Sequence, residues 1–267
     1  MMLFVVLLVT LRPLPGQGTN SQEPSTLSLI GCDLLECALP SCRGEEVAQK
    51  MDLPRRRLYA VAPLRSREGQ IILHVTLWGE RASEDAAVFI SYLAHHPLLV
   101  VGLHHYTVQS VSLSRHPWVS LATWTDLMSP SNDHMLGLRF VTPTMFQEPS
   151  VDARPGLDFP EPAVVFSQLL QRWVSLGGPP LTSHLSSFLE GNGCIASDYR
   201  LHICHHLLPH GMYTGWVGWV LYACHDQHPE SIAAINGLAR LACFTGTGFA
   251  TEHGMGLTRL MHPQERR

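Results

Sequence analysis

The chain has 267 residues, of which 45% are hydrophobic and 15% are charged, and its formal net charge at pH 7 is −4. This length suits one large domain or two domains of about 130 residues, and the composition excludes a disordered chain. A negative net charge argues against broad electrostatic binding of nucleic acid. The basic residues are nevertheless almost all arginine, because Lys50 is the only lysine, and arginine is the better side chain for bidentate phosphate contact.

The cysteines and the N-terminal run both indicate the cellular compartment of the protein. Seven cysteines without a CxxC pair, at positions 32, 37, 42, 194, 204, 224 and 243, predict reduced thiols and a cytoplasmic protein. The N-terminal run MMLFVVLLVTL has no positively charged start and no A-x-A cleavage site, and it is too short to span a bilayer. We therefore interpret this run as a buried strand and expect no contact with a membrane.

The N-terminal half alternates predicted strands and helices. Residues 3–12 predict a strand, a polar linker follows, and residues 27–39 predict a short helix. Apolar alternation predicts strands at residues 69–79 and 106–113, and between them Ser83 is expected to cap a helix that ends at His95. This order describes a ferredoxin-like βαββαβ unit, which we place at residues 1–116.

The C-terminal half repeats the same order after a linker at residues 117–134, which is rich in Ser, Pro and Asp. The predicted elements are a strand at 135–142, a helix at 162–176, a strand hairpin at 194–207 and 212–224, a helix from Pro229, and a final strand. The predicted fold is therefore α+β, with two tandem ferredoxin-like (RRM-like) domains at 1–116 and 135–267.

A glycine-rich stretch, FTGTGFATEHGMGLTR at residues 244–259, stands between the last predicted helix and strand. A dinucleotide-binding loop follows a strand and opens a helix, so the order found here excludes that class of site. A helix C-cap alone needs one or two glycines, and this stretch has two G-x-G pairs. We interpret it as a loop that lies against the backbone of a ligand.

Four segments in this order resemble the CRISPR precursor-RNA processing endoribonucleases of the repeat-associated (RAMP) superfamily. They are RFVTPTMF at 139–146, AVVFSQLLQRW at 163–173, GWVGWVLY at 215–222 and the glycine-rich loop, and YAVAPL at 59–64 matches more loosely. The loop departs from the family pattern in one respect, because Phe249 and Ala250 stand where a basic pair is usual.

The resemblance implies binding of CRISPR repeat RNA and metal-independent cleavage of precursor crRNA, within CRISPR antiviral immunity. The substrate's 2′-hydroxyl would attack the adjacent phosphate and leave a 2′,3′-cyclic phosphate. The implied partners are repeat RNA and subunits of a CRISPR effector complex, and we expect no cofactor and no metal. The family's histidine on the first helix is absent, since no histidine precedes His74. The chain then binds without cutting, cuts slowly through Arg and Tyr, or uses another histidine.

Two histidine placements follow from these alternatives. His253, inside the glycine-rich loop, is the candidate substitute for the missing base, and its alternative is a solvated loop residue. His74 lies mid-strand among apolar residues and is expected in the core. His202, Cys204 and His206 share a strand face, but their spacing matches no zinc site.

RNA contacts are expected at three places. The loop is expected to bind phosphate through its amides and through Thr251 and Arg259. Tyr199 and Arg200 are expected near the hairpin tip. The basic run Arg55 to Arg57 either contacts the RNA backbone or forms a solvated surface. The full set is Gly246, Gly248, Thr251, Gly254, Gly256, Arg259, Tyr199, Arg200, Arg55, Arg56 and Arg57. Two other functions stay open: a non-cleaving RAMP subunit that grips guide RNA, and a small-molecule-binding regulator.

Overall fold

The structure is a computed structural model that describes residues 2–14, 34–35, 38–39, 58–65, 70–101, 104–113, 120–131, 133–146, 159–208, 211–225, 228–261 and 265. The chain divides into two compact units, an N-terminal unit of residues 1–123 with 207–211 and 252–254, and a C-terminal unit of residues 124–206 with 212–251 and 255–267. Each unit contains one antiparallel sheet. The boundaries proposed from the sequence, at residues 116 and 135, remain a prediction.

The N-terminal unit has the strand order of a ferredoxin-like fold. Its sheet runs β2-β3-β1-β5-β4, and a sixth strand, β6, pairs with β1. The ladders that pair β1 with β3 and with β5 are antiparallel. The elements are β1 (Leu3–Pro13), β2 (Tyr59–Arg65), β3 (Ile71–Gly79), α1 (Ala82–His95), β4 (Leu98–Val101), β5 (His104–Ser112) and β6 (Leu121–Thr123).

The apolar N-terminal run is the central strand of this sheet. β1 lies between β3 and β5, so both of its edges are paired. Its consecutive residues from Phe4 to Val9 are all buried, so both of its faces are covered and a continuous run of apolar residues is required. Alternate residues such as Leu7 and Val9 enter one core cluster with Phe89 of α1. His74 is only 5% exposed, which confirms the prediction that it belongs to the core.

Two predictions for this unit had other outcomes. Leu34, Leu35 and Ala38 are helical, Leu39 is not, and the rest of the segment 27–39 lies outside the described residues. The prediction that Ser83 caps α1 is wrong, because the cap position is Arg81 and no side chain caps the helix. The helix begins one residue earlier, at Ala82, which places Ser83 in its first turn.

The C-terminal unit shows the ferredoxin-like order directly. Its four strands run β10-β7-β9-β8, which is fourth, first, third and second in chain order. The elements of the chain from residue 124 onward are α2 (Trp124–Leu127), β7 (Met135–Thr144), α3 (Pro162–Ser175), α4 (Leu185–Glu190), β8 (Cys194–Leu208), β9 (Gly211–Cys224), α5 (Pro229–Thr245), a 3-10 turn (Thr251–His253) and β10 (Thr258–Met261). The predicted fold class, two tandem ferredoxin-like domains, is confirmed.

Part of the segment predicted as a linker is regular structure. Within residues 117–134, β6 pairs with β1, and α2 follows at once. The ring of Trp124 packs 4.6 Å from that of Trp173 on α3. Arg240 on α5 donates to the carbonyl oxygens of Leu127 and Ser129. The polar composition of the segment gave no sign of this structure, because the segment is held by the Trp124–Trp173 contact and by hydrogen bonds to its main chain.

Cys243 on α5 has a thiol that resists ionisation. Burial raises its pKa to about 11, while the amide of Leu260, 3.3 Å from its sulfur, and Arg259 act in the opposite direction. Because the thiol ionises near pH 9 in the unfolded chain and near pH 11 in the folded one, its contribution to stability is present below pH 9. It is lost as the pH rises from 9 to 11.

We therefore expect the urea midpoint of the wild-type protein to fall between pH 9 and pH 11 more steeply than that of Cys243→Ser. The variant is the control because serine does not titrate in this range, whereas the other groups that do are retained. Equal slopes for the two proteins would show that Cys243 does not carry the effect. The measurement is a set of urea unfolding curves at constant ionic strength.

Among the helices in the described ranges, none has both the length and the apolar character needed to cross a membrane.

Candidate nucleic-acid interface

All four loop glycines have positive φ, which explains their number. The φ angles are +72° at Gly246, +81° at Gly248, +89° at Gly254 and +69° at Gly256. A residue with a side chain is strained in this region. In addition, a Cβ on Gly248 would lie 2.3 Å from the carbonyl oxygen of Met145, and one on Gly256 would lie 2.0 Å from that of Thr247. The close approach that the glycines permit is therefore to the protein's own backbone.

The loop also uses several of its main-chain donors internally. The amides of Thr247, Phe249 and Gly256 donate to the carbonyl oxygens of Gly256, Met145 and Pro143, at 2.8, 2.8 and 2.9 Å. The amide of Met255 donates to Ala250. These four amides are occupied, which corrects the expectation that the loop amides as a group are open to phosphate.

Thr251 and Gly254 are buried in the folded loop. Thr251 is 7% exposed, and its methyl group is the nearest side-chain atom to a Cβ built on Gly246 or on Gly256. The threonine therefore packs the two G-x-G pairs together. Its role in the structure is the closure of the loop, and a phosphate contact by its side chain remains a prediction.

Arg172, at the end of α3, holds the loop in place. Its Nη1 donates to the carbonyl oxygens of Thr245 and Gly246 at 2.8 and 2.9 Å, and its Nη2 donates to that of Gly248 at 2.9 Å. These oxygens include those at the end of α5, where a helix leaves its last carbonyls without intrahelical partners. The guanidinium thus satisfies the helix end and orients the first G-x-G pair.

We expect Arg172→Met to lower the free energy of unfolding by about 2 kcal/mol, because several charge-assisted hydrogen bonds are lost and the carbonyls lose their donor. Arg172→Lys should recover only part of this, since one ammonium group does not span the three oxygens. The matched control is Arg81→Met, which removes an ion pair between side chains that are 71% and 68% exposed. That change should cost little, and urea unfolding curves compare the three.

A polar cavity of about 390 Å³ lies beside the anchored loop, within the C-terminal unit. Gln168, Gln171 and Ser175 of α3 line it together with Arg172, and Phe249 contributes an aromatic ring. Gln168 is fixed there by a hydrogen bond to the carbonyl oxygen of Phe146. Amide, hydroxyl and guanidinium groups beside an aromatic ring are groups that contact nucleotides. Sequence reasoning missed this cavity, whose only sequence signal is the Arg-Trp pair near the end of α3.

Tyr199 and Arg200 lie in the middle of β8, so the expectation that they stand near the hairpin tip is wrong. β8 runs from Cys194 to Leu208, so Tyr199 and Arg200 lie nine and eight residues before its end. Tyr199 is 57% exposed, and its ring meets that of Phe159 edge-on at 4.9 Å. Arg200 is exposed as well, so both side chains remain available to a ligand.

The remaining predicted residues have different surroundings. Arg259, on β10, is bonded to Glu265 at 3.0 Å. His253 ends the 3-10 turn, and its Nε2 lies 3.9 Å from a carboxylate oxygen of Glu252. The side chain of His253 is 22% exposed, so it is not the fully solvated residue of the alternative interpretation. Arg55, Arg56 and Arg57 lie outside the described residues.

The histidines of β8 do not form a cluster. His202 is exposed, whereas His206 is only 4% exposed. Within the described part of the chain there is no group of three or more His, Cys, Asp or Glu side chains arranged to hold a metal ion.

The two ferredoxin-like units and the closed C-terminal glycine-rich loop define the class of fold, an α+β protein with two tandem ferredoxin-like domains. Residues 138–258 match the family described as "CRISPR-associated endoribonuclease Cas6". This match confirms the family resemblance inferred from the sequence. No curated protein matches the chain by sequence.

Solved structures of this family have the same fold. The chain is similar to Thermus thermophilus Cas6 (TTHB231) in a product complex, with a TM-score of 0.78, 23% identity and coverage of 97% of this chain and 100% of that one. A product complex of Cas6 (TTHA0078) gives a TM-score of 0.76 at 23% identity, covering 98% and 100%. A structure described as a RAMP protein binding different RNA substrates gives 0.60 at 10% identity, covering 97% and 100%.

Proposed function

We propose that the chain binds CRISPR repeat RNA and cuts precursor crRNA at one position without a metal ion. The family match over residues 138–258 carries this proposal. Support also comes from the relatives' descriptions, which name product and substrate-mimic complexes of Cas6. The polar cavity beside the loop, with Arg172, Gln171 and Phe249 on its walls, supplies groups suited to RNA.

In the proposed reaction the 2′-oxygen forms a bond to the adjacent phosphorus, and the bond from phosphorus to the 5′-oxygen breaks. A base takes the proton of the 2′-hydroxyl, and an acid donates a proton to the 5′-oxygen that leaves. The products are a 2′,3′-cyclic phosphate and a 5′-hydroxyl. Histidine suits both proton transfers near neutral pH, and His253 is the candidate base.

The deciding experiment uses the full chain with 5′-labelled repeat RNA in EDTA. We expect a single cut whose upstream product gains mobility only after treatment that opens a cyclic phosphate. An RNA with a 2′-deoxy substitution at the cut site is the matched control and should stay intact. Cleavage that EDTA abolishes, or that survives the 2′-deoxy substitution, would contradict the mechanism.

The second function is that of a non-cleaving RAMP subunit that grips guide RNA. The absence of a histidine before His74 favours it, because the family's usual base precedes that point. Tight binding of repeat RNA with no cyclic-phosphate product after long incubation would support this function over the first. A small-molecule regulator would show neither RNA binding nor cleavage.

A further inference from the structure

One face of the sheet of the C-terminal unit packs against its helices, and the opposite face is buried at Leu221 and Met261 but exposed at Arg139. Leu138 and Phe140 of β7 and Val220 of β9 are all 0% exposed, and Phe166 of α3 packs on Tyr222 with ring centroids 5.2 Å apart. Side chains alternate along a strand, so the residue between Leu138 and Phe140 lies on the opposite face. That residue is Arg139, and it is exposed.

Arg139 has an arginine on one side and a tryptophan on the other. Its register partner on β10 is Arg259, and its register partner on β9 is Trp219. Both partners are partly exposed. Directly opposed like charges destabilise a sheet, so the arginine pair has an electrostatic cost that an anion would relieve.

The two guanidinium groups differ in their neutralisation. Arg259 is bonded to Glu265 at 3.0 Å. Within the ranges that the structure describes, Arg139 has no side-chain hydrogen bond and no ion pair. Only one of the two positive charges, that of Arg259, is therefore balanced by a carboxylate, in a chain whose net charge is −4. The excess charge is local, and it complements a polyanion.

The neighbouring indole determines which polyanion fits. A four-stranded sheet with aromatic side chains on its open face is the surface on which RRM domains stack bases, and guanidinium groups there bind the phosphates between the bases. Stacking on Trp219 requires a base whose face is free. The bases of a duplex are already stacked on one another, so a duplex offers only phosphates to this row.

We propose that Arg139, Trp219 and Arg259 form a binding site for unpaired RNA nucleotides on the exposed part of the face opposite the helices of the C-terminal sheet. The inference rests on the proposed RNA-binding function and adds to it a preference for single-stranded nucleotides next to the repeat stem. Arg139 and Arg259 hold phosphates, and Trp219 stacks on one base. The sequence alone did not identify Arg139 or Trp219 as an RNA-binding residue.

The test compares two RNAs, a repeat stem-loop with blunt ends and the same stem-loop with single-stranded flanks. Wild-type protein is expected to bind the flanked RNA more tightly. Arg139→Ala should weaken binding of the flanked RNA about tenfold, lower the slope of log K against log salt by about one, and leave binding of the blunt RNA nearly unchanged. Trp219→Leu should weaken binding of the flanked RNA alone, and Trp219→Phe should retain most of it.

The control variant is Arg81→Ala, which removes an exposed arginine on α1 of the N-terminal unit and should bind both RNAs as the wild type does. If Arg139→Ala and Trp219→Leu bind the flanked RNA like the wild type, the inference is overturned and the proposed function stands. If the wild type binds neither RNA, the proposed function fails as well. If a variant does not fold, ultraviolet cross-linking of the wild type to the flanked RNA tests the site instead. A cross-link on the β9 peptide that contains Trp219 supports the site, and cross-links only elsewhere overturn it.

Discussion

Gly256→Ala is expected to lower the free energy of unfolding by about 3 kcal/mol or more. The backbone at Gly256 has φ +69°, where a residue with a side chain carries about 1–3 kcal/mol of strain. The new Cβ would also lie 2.0 Å from the carbonyl oxygen of Thr247 and 3.1 Å from the Thr251 methyl carbon. Overpacking of this kind adds about 1–3 kcal/mol, because a backbone oxygen has no other rotamer to adopt.

The matched control for this prediction is Gly177→Ala. Gly177 follows α3 with φ +75°, and a Cβ there would meet no atom within 4 Å. It therefore has the strain without the collision, and its cost should be about 1 kcal/mol. Thermal unfolding followed by circular dichroism compares the two variants, and for a chain of this length the Gly256 variant should melt roughly 10 °C below the wild type. Equal melting temperatures for the two variants would show that the close approach carries no energy.

RNA binding by the same variants separates two explanations of the loop. If the glycines serve only the internal closure of the loop, Gly256→Ala at a temperature where it is folded should bind repeat RNA like the wild type. If the loop also lies against the RNA backbone, as the sequence alone indicated, a folded variant should still bind more weakly. The internal hydrogen bonds of Thr247, Phe249 and Gly256 favour the first result.

The elements of the fold were predictable because their patterns are local. Pro229 opens α5, apolar alternation marks β3, and the long apolar run marks β1, each by a rule that needs only neighbouring residues. The cap at Ser83 was misplaced because helix starts are set within a residue or two by packing that propensity does not describe. The segment at 121–127 was missed because Trp124 finds its partner, Trp173, far along the chain.

The candidate interface was predictable only in part, for a different reason. Four glycines in this spacing indicate a backbone that needs positive φ. The sequence does not show whether the atoms that approach the glycines closely belong to a ligand or to the protein. Here they belong to Met145 and Thr247. Arg172 is the counterpart: its three carbonyl partners lie more than 70 positions away, so no spacing rule links them. The role of a side chain that binds main-chain carbonyls can be assigned only when the folded structure shows which carbonyls it contacts.

The largest effect on activity is expected for His253→Ala, which should lower the cleavage rate by about 10²–10⁴-fold if His253 is the general base of the proposed reaction. The side chain is partly enclosed and lies next to Glu252, with Nε2 and Oε1 3.9 Å apart. Repeat-RNA affinity should change little, because proton transfer and not binding is lost.

Added imidazole provides the decisive readout for His253. A general base removed by truncation leaves room for a free imidazole, so cleavage by His253→Ala should recover with imidazole concentration, and more strongly as the pH rises and neutral imidazole accumulates. Loss of structure would not respond to imidazole. His74→Ala is an unsuitable comparison because His74 is buried in the core, whereas exposed His202 gives a matched control whose substitution should leave the rate unchanged. An unchanged rate in His253→Ala removes this residue from the mechanism, and the missing base must then be sought among the other histidines or replaced by alignment of the 2′-hydroxyl alone.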